Sequence, residues 1–504
     1  MTGKYLLLFV VCSAILVHSV SARGRKEKDK KKTHKGHDNT INLCDIRETG
    51  INVFCYCNSQ EIQNATESTC WIFNGEKPPD HAVWDYFVTQ TKLQKLKFNI
   101  RPDGKLQFVP TKALSHLREL TTFDIQYASI HEIPPYAFGN LSSLTEINLS
   151  RNQIVVLKSY SFSRLPKLSV ITLDENRIAE LHRDVFVLPQ LTKLYIARNN
   201  LSILHDRAFS HLHRLEELEL NGNQLTVVTR ETFSGLKSLK RLDLYLNHLS
   251  MLGDFTFSEM PSLDELELGE NDIQFISDRA FDGLKKLTKL NLGENKLHSL
   301  GNDLFAPVPN IHLLDLRENQ LTTLTFDTVN PLMENLKNIT TTLYIEGNRF
   351  TCDCRLSWMY QLRNETPNEQ VRNALEELTC ILKEPLDYEA SPTADTTTES
   401  TVRDFVRDEP DEDLSYDDED TLPEDDETAT SLPDYRRHLF QIPPQMLPCP
   451  EELHAAQDTT EQPYLTSDYG YGHEMVAKTS SASSMAGSAA ILLLATTTLV
   501  ALIT

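Results

Sequence analysis

Apolar residues recur along residues 91–351 with a period of about 24 positions, and one asparagine marks each period. These asparagines are Asn152, Asn176, Asn199, Asn223, Asn247, Asn271, Asn295, Asn319 and Asn348. The apolar frame around each reads L-x-x-L-x-L-x-x-N-x-L, and one copy runs from Leu215 to Leu225. Because successive side chains of a strand point to opposite faces, Leu218 and Leu220 are predicted to point inward and Glu219 outward. The pattern therefore predicts one short strand per period, with the same buried and exposed sides each time.

This frame is the signature of the leucine-rich repeat. A single repeat cannot bury its own apolar edge, so the repeats are predicted to stack into a solenoid. An asparagine amide both donates and accepts hydrogen bonds, so the stacked asparagines are predicted to satisfy buried backbone groups as a ladder. The expected fold is an α/β solenoid, a leucine-rich-repeat horseshoe of about ten to eleven repeats with a parallel β-sheet on its concave face. The first turns are less regular, since Ala128 stands where an asparagine belongs.

Cysteines cluster on both sides of the repeats, where an open solenoid would expose its core. They are Cys44, Cys55, Cys57 and Cys70 before the repeats, and Cys352, Cys354, Cys380 and Cys449 after them. An even number of cysteines in an exported chain predicts disulfides, and the C-x-C spacing is poor for the alternative, a zinc site. The clusters define a predicted N-terminal cap at 41–90 and a C-terminal cap at 352–450. An acidic insertion at 385–440 has few apolar residues and is expected to be disordered.

The two clusters resemble the disulfide caps of extracellular leucine-rich-repeat proteins. In those caps the first cysteine pairs with the third, and the second pairs with the fourth. The resemblance therefore implies that Cys352 pairs with Cys380, and Cys354 with Cys449. The long acidic gap before Cys449 departs from the family pattern.

Both ends of the chain carry predicted processing signals. Residues 1–22 combine one lysine, a short apolar run and a small-residue cleavage site, which predicts a secretory signal peptide rather than a membrane helix. At the other end, a small-residue run at 480–484 and a short spacer precede an apolar tail at 489–504. This order is typical of a signal for a glycosylphosphatidylinositol (GPI) anchor, and residues 482–504 would be removed. We expect Ser481 to carry the lipid at the outer cell surface, beyond a stalk at 451–481. A short membrane-spanning anchor is the alternative.

The chain has six N-glycosylation sequons, which are plausible acceptors behind a signal peptide. They lie at Asn64, Asn140, Asn148, Asn200, Asn338 and Asn364. Asn148 lies between Ile147 and Leu149, so its side chain is predicted to face the concave side. A glycan there would block that end of the face, which places the expected contact nearer the middle turns or on the flank.

The formal net charge of -23 is unevenly distributed. Residues 395–434 contain 17 acidic and two basic residues, whereas a short arm at 23–40 is strongly basic. The arm is a candidate for binding heparan sulfate or acidic lipid headgroups, and the alternative is a disordered charged tail. Within the acidic segment, Tyr416 is a candidate for sulfation.

The concave face is the expected binding surface, because the outward side chains of its strands contact no other element. Acidic residues form a field across its middle turns, interrupted by a few basic and aromatic residues. The residues predicted to contact a partner are Glu219, Arg241, Asp243, Tyr245, Glu267, Lys289 and Arg317. Mixed charge with Tyr and Arg is typical of recognition surfaces. The alternative is that the charges only keep an exposed sheet soluble.

Catalytic motifs are not apparent in the sequence. It has no Gly-rich phosphate loop, no His-Glu-x-x-His and no nucleophile elbow, so we expect no enzyme activity, cofactor, metal or nucleic-acid partner. His205, His211 and His213 lie close together in one repeat. We interpret them as surface histidines rather than as a metal site.

The cysteine-capped repeats, the acidic insertion after Cys380 and the small-residue tail together resemble insect connectin, a family of lipid-anchored leucine-rich-repeat adhesion molecules. The resemblance covers about Cys44 to Thr504. It implies homophilic cell adhesion, between nerve and muscle cells during development. Two alternatives remain, a co-receptor that binds a soluble ligand and a matrix protein that binds sulfated glycans through the basic arm.

Overall fold

The computed structural model describes residues 41–46, 50, 52–76, 78–382 and 435–450. Several predicted features lie outside these residues: the signal peptide, the basic arm, the acidic insertion up to residue 434, the stalk and the anchor signal with Ser481. Among the described residues, no helix has the length and apolar content needed to cross a membrane.

One β-sheet of thirteen strands runs through the described residues in the order of the chain. Its strands are β1 Val53–Cys57, β2 Glu67–Ile72, β3 Lys95–Ile100, β4 Thr122–Gln126, β5 Glu146–Asn148, β6 Val170–Thr172, β7 Lys193–Tyr195, β8 Glu217–Glu219, β9 Arg241–Asp243, β10 Glu265–Glu267, β11 Lys289–Asn291, β12 Leu313–Asp315 and β13 Thr342–Tyr344. β1 is antiparallel to β2, and every later neighbour pair is parallel. The sheet confirms the predicted leucine-rich-repeat solenoid.

Register across the sheet is uniform, so each repeat position forms a row. Leu218 pairs with Leu194 and Leu242, and Glu219 pairs with Tyr195 and Asp243. From β3 onward the inward rows consist of leucine, isoleucine and phenylalanine, which are almost completely buried. The outward rows remain on the open face of the sheet, as the alternation predicts.

The asparagines form the predicted ladder. The side-chain nitrogen of Asn247 donates to the carbonyl oxygen of Leu244 in its own turn (3.0 Å) and to that of Leu220 in the preceding turn (3.1 Å). Its side-chain oxygen accepts from the backbone N–H of Leu225 (3.1 Å). At the irregular start, Asn152 reaches back in the same way to the N–H of Ala128 (2.8 Å). Each amide therefore satisfies buried backbone groups of two turns.

The back of the solenoid consists mainly of turns over a column of buried phenylalanines. These are Phe138, Phe162, Phe186, Phe209, Phe233, Phe257, Phe281 and Phe305. Pairs of two-residue parallel strands join neighbouring turns at Gly75–Glu76 with Gly104–Lys105, Glu132–Ile133 with Val156–Leu157, Phe162–Ser163 with Phe186–Val187, Glu180–Leu181 with Ile203–Leu204, and Met251–Leu252 with Phe275–Ile276. The back thus buries one aromatic side chain in most turns.

Helices are short and lie mostly near the two ends of the described repeats. The α-helices are α1 Thr111–Leu114, α2 Phe326–Val329, α3 Met333–Leu336, α4 Trp358–Glu365 and α5 Glu369–Glu376. The 3-10 helices are Leu43–Asp45, Ala82–Gln90, Glu231–Phe233, Asn330–Leu332, Cys354–Leu356, Leu439–Gln441 and Pro444–Met446. In the N-terminal cap, Trp84 packs against Phe87 and Phe98 and covers the first apolar layer.

Four disulfides close the two ends of the core. They are Cys44–Cys57, Cys55–Cys70, Cys352–Cys380 and Cys354–Cys449. The pairing of the first cysteine with the third and of the second with the fourth is confirmed in both caps. Disulfides persist in oxidising compartments, so this bonding indicates an extracellular or secreted protein.

The boundary of the expected disordered insertion at 385–440 needs a correction at its C-terminal end. Arg436–His438 form a strand antiparallel to Thr379–Ile381. Leu439, which follows, is fully buried, and the hydroxyl oxygen of Tyr360 lies 2.6 Å from the backbone oxygens of both Leu439 and Ile442, either of which can accept its proton. The chain therefore rejoins the cap from Tyr435, because this segment supplies apolar side chains that the acidic residues before it lack.

Candidate protein-binding face

The outward residues of β7–β12 and of the turn after each strand form the candidate binding face, called the binding face below. Its first row, the charge row, contains Lys193, Glu217, Arg241, Glu265 and Lys289 at matching positions of five neighbouring strands. The sign of the charge alternates along this row. Lys193 contacts Glu217 at 2.9 Å, Arg241 contacts Glu265 at 3.4 Å, and Lys289 also pairs with Glu265. The sequence predicts an acidic field on this face. In the charge row the structure instead has an alternating series of cations and anions.

Arg241 lies at the centre of the charge row. It also contacts the second row, which consists of the outward residues two positions further along the same strands. Its guanidinium is 2.8 Å from Glu219 and 3.2 Å from Asp243. Partial burial opposes its charge, but the neighbouring carboxylates of Asp243 and Glu219 prevail and raise the pKa of Arg241. Exposed ion pairs contribute little to stability. Their main consequence here is that three carboxylates hold one guanidinium in a defined position.

Aspartates of the second row are more buried than the sequence suggests. Asp243 is only 8% exposed, and its carboxylate accepts a hydrogen bond from the backbone N–H of Tyr245 (3.1 Å). Burial raises the pKa of Asp243 to about 6. Asp315 accepts in the same way from the N–H of Arg317 (3.1 Å), and burial raises its pKa as well. Asp243, one of the predicted contact residues, therefore offers little surface to a partner and acts mainly by holding Arg241 and Tyr245.

Aromatic and apolar groups lie along the other edge of the face. The hydroxyl of Tyr245 hydrogen-bonds to Glu270, and Leu246 beside it is 49% exposed. Further along the sheet, after β12, the guanidinium of Arg317 lies 5.0 Å from the ring centroid of Tyr344, which is a cation–π contact. These side chains combine apolar surface with charge at fixed positions, which suits the recognition of another protein.

Two glycines lie beside the aromatic edge, and the sequence interpretation missed them. Gly269 and Gly293 occupy the same repeat position, two residues after the ends of β10 and β11. A Cβ atom at Gly269 would lie 2.9 Å from the amide of Asn291, and one at Gly293 would lie 2.9 Å from the carboxylate of Asp315. A larger residue at either position would therefore crowd the side chain of Asn291 or Asp315. Aligning the repeats would have exposed the two matching glycines.

Six of the seven predicted contact residues lie on or directly after four consecutive strands, β8–β11, and Arg317 follows β12. The structure therefore brings them to one face. Asn148 lies on the same side at the end of β5, and its side-chain oxygen accepts from the N–H of Ser150 (2.9 Å). The other five sequon asparagines, Asn64, Asn140, Asn200, Asn338 and Asn364, are exposed.

A family model described as leucine-rich repeat matches the chain in six overlapping stretches, at 118–178, 166–225, 189–249, 214–273, 237–297 and 261–321. The chain is a leucine-rich-repeat protein. One curated relative of this leucine-rich-repeat protein is connectin of Drosophila melanogaster, which is 50% identical over 66 residues. That match covers 13% of this chain and 10% of connectin, so it spans about a tenth of the relative's length.

Three solved structures are also similar to this leucine-rich-repeat protein. One is a chain from an octameric complex of latrophilin 3, Unc5D and the leucine-rich-repeat part of FLRT2, with 24% identity, 50% of this chain and 82% of that chain covered, and a TM-score of 0.40. A plant peptide hormone receptor, RGFR1 in complex with RGF2, has 21% identity, coverage of 56% and 48%, and a TM-score of 0.40. A leucine-rich-repeat protein of Leptospira interrogans has 23% identity, coverage of 64% and 79%, and a TM-score of 0.47.

Proposed function

We propose that this leucine-rich-repeat protein is a cell-surface recognition molecule that binds another protein through the binding face. The observation that carries the proposal is the alternating charge row, whose central residue, Arg241, is held by Glu219, Asp243 and Glu265. Fixed charges reduce the conformational entropy lost when a partner docks. They also discriminate between partners, because like charges placed opposite one another are strongly unfavourable.

Solubility alone is a weaker explanation of this face. A soluble surface requires charge, but it requires neither alternation between neighbouring strands nor aspartates buried at the cost of a raised pKa. Tyr245 and Leu246 add apolar surface next to the charge row. Aromatic and apolar side chains next to charged residues are the combination found in specific protein interfaces.

We infer that the partner is a second copy of the chain on an opposing cell, in homophilic adhesion. The resemblance to insect connectin and the local 50% identity to the Drosophila protein support this choice. The four disulfides agree with an extracellular site of action. Membrane attachment through lipid at Ser481 belongs to the same proposal, and so does a role in recognition between nerve and muscle cells.

A cell-mixing assay tests the proposed function. Two differently labelled populations of non-adherent cells express the full chain, and a third population carries an empty vector. We expect mixed aggregates of the two expressing populations that leave the control cells single. Aggregates that recruit control cells would indicate a heterophilic partner, and the absence of aggregation would refute adhesion.

Two further measurements separate the alternative functions. A co-receptor would bind a soluble factor without causing aggregation, whereas a matrix protein would be retained on heparin in a salt-sensitive manner. A phospholipase specific for phosphatidylinositol anchors should release the protein from the expressing cells. Retention after this treatment would contradict the lipid anchor while leaving the adhesion result unaffected.

A further inference from the structure

Two histidines and a glutamate converge on the back of the solenoid, away from the binding face. Glu180 and Leu181 pair in parallel with Ile203 and Leu204, and a histidine follows each strand. The Nε2 atom of His205 is 3.1 Å from one carboxylate oxygen of Glu180, and that of His182 is 3.3 Å from the other. The two imidazole rings are stacked with 4.2 Å between their centroids. Three side chains from two neighbouring turns thus meet at one point.

The repeat itself explains why these histidines meet. His182 lies six residues after Asn176, and His205 lies six residues after Asn199, so both occupy the same position of consecutive repeats. The backbone N–H of His205 donates to the carbonyl oxygen of Leu181 (3.1 Å), which fixes the two turns against each other. Proximity in sequence instead groups His205 with His211 and His213. In the structure His211 instead pairs with Asp184 (3.2 Å).

We propose that Glu180, His182 and His205 form a binding site for a divalent transition-metal ion such as Zn²⁺. One ligand atom from each side chain lies within 4.8 Å of the other two, which is compatible with a shared ion after small side-chain rotations. Two imidazole nitrogens and one carboxylate oxygen are common zinc ligands, and three protein ligands leave a fourth tetrahedral position for water or an outside group.

The surroundings favour a cation at this point. Lys158 occupies the matching position of the preceding repeat, but its ammonium is directed to Glu132 at 3.5 Å. Arg183, next to His182 in sequence, is 3.9 Å from Asp184. Carboxylates therefore neutralise both nearby cations. The three ligand side chains are each between 41% and 49% exposed, so an ion can enter from solvent.

The ligand set also selects the class of ion. Imidazole nitrogen is a good ligand for zinc and copper, whereas calcium and magnesium prefer six or more oxygen ligands. The competing explanation is that both imidazoles simply hydrogen-bond to Glu180, and the contact with His205 does lower the pKa of this carboxylate. That arrangement requires a proton on each Nε2 atom, whereas metal binding requires these nitrogens to be unprotonated.

The test uses the full secreted chain, freed of metal with a chelator and titrated with Zn²⁺ in a calorimeter. The variants are His182→Ala, His205→Ala and Glu180→Gln. His248→Ala is the matched control, because His248 contacts a single carboxylate, Asp272 at 3.3 Å. Unfolding midpoints measured without metal show whether each variant is folded.

We expect one Zn²⁺ per chain in the wild type and in His248→Ala, not displaced by excess Ca²⁺. Each histidine variant should lose at least about tenfold in affinity, and Glu180→Gln should lose affinity as well. Co²⁺ should give the visible absorption of a tetrahedral site in the wild type and in His248→Ala, but not in the two histidine-ligand variants. Unchanged Zn²⁺ affinity in His182→Ala and His205→Ala, both correctly folded, would overturn the proposal.

Discussion

The side-chain oxygen of Asn271 accepts a 3.0 Å hydrogen bond from the backbone N–H of Leu249, which lies one turn earlier in the solenoid. The nitrogen of the same amide donates to the carbonyl oxygens of Leu244 (3.0 Å) and Leu268 (3.1 Å). Asn271→Ala would remove the partner of the buried N–H of Leu249, and the carbonyl oxygens of Leu244 and Leu268 would each lose one of two amide donors, keeping Asn247 and Asn295 respectively. We predict that it lowers the free energy of unfolding by about 3–5 kcal/mol, measured by urea denaturation.

Asn302 supplies the matched control for the ladder. Its side-chain oxygen accepts one hydrogen bond from the hydroxyl of Thr325 (3.1 Å), at an exposed position. Asn302→Ala should change the free energy of unfolding by less than about 0.5 kcal/mol. Equal destabilisation by the two variants would contradict the role assigned to the ladder.

The phenylalanine column offers a second stability test. Phe257 is fully buried, and its ring lies 5.9 Å from that of Phe233 and 6.2 Å from that of Phe281. We predict that Phe257→Ala costs about 3–5 kcal/mol, because it creates a cavity in the core. Phe275 is 58% exposed on the back, so Phe275→Ala should cost far less under the same conditions. A comparable loss in both variants would argue against the column as the core of the repeats.

The buried aspartate of the binding face predicts a pH dependence of stability. Burial raises the pKa of Asp243 to about 6, from an ordinary value of 3.8. Between these two pH values the carboxyl of Asp243 keeps its proton in the folded chain and releases it in the unfolded chain. The contribution of Asp243 to the free energy of unfolding is therefore lost as the pH rises to about 6. Asp243→Asn should therefore gain about 1–2 kcal/mol over the wild type at about pH 7.5.

The gain from Asp243→Asn should shrink or disappear at about pH 4, where the carboxyl is protonated in the folded chain. The asparagine retains an oxygen to accept from Tyr245, and Arg241 keeps Glu219 and Glu265. Denaturant midpoints at the two pH values give the measurement. A variant less stable than the wild type at neutral pH would show that the ion pair with Arg241 outweighs burial.

The Cys354–Cys449 disulfide joins residues 95 positions apart across the acidic segment. A specific protease site inserted between residues 395 and 434 would allow a cut inside this loop. We predict one band on a denaturing gel without reductant and two bands with it, because the bridge holds the fragments together. Two bands without reductant would contradict the connectivity.

The regular parts of the fold can be predicted from the sequence because the same pattern of leucines and asparagine recurs in successive repeats. Leu218, Leu220 and Asn223 have equivalents in neighbouring turns, so one repeat predicts the next. Contacts between turns are harder to predict, since Arg241 reaches Glu219 and Glu265 through flexible side chains. Their partners depend on register and on rotamers, which a single repeat does not encode.

Two other features were not predicted from the sequence, for different reasons. The return of the chain at Tyr435 depends on burial of Leu439 in the cap, a contact with residues far away in sequence. His182 and His205 are 23 residues apart and become neighbours only when the repeats are superposed. Comparing positions between repeats, rather than neighbours along the chain, would have revealed this pair.

Steric blockade of the binding face by a glycan tests the central claim most directly. The double substitution Glu219→Asn and Asn221→Thr creates a sequon at the centre of the face, whereas Arg230→Asn creates one on the back with Thr232. Glycosylation and surface level are verified for both variants before the cell-mixing assay. We predict that the face glycan abolishes aggregation and that the back glycan leaves it unchanged. Full aggregation with an occupied glycan at position 219 would contradict binding through this face.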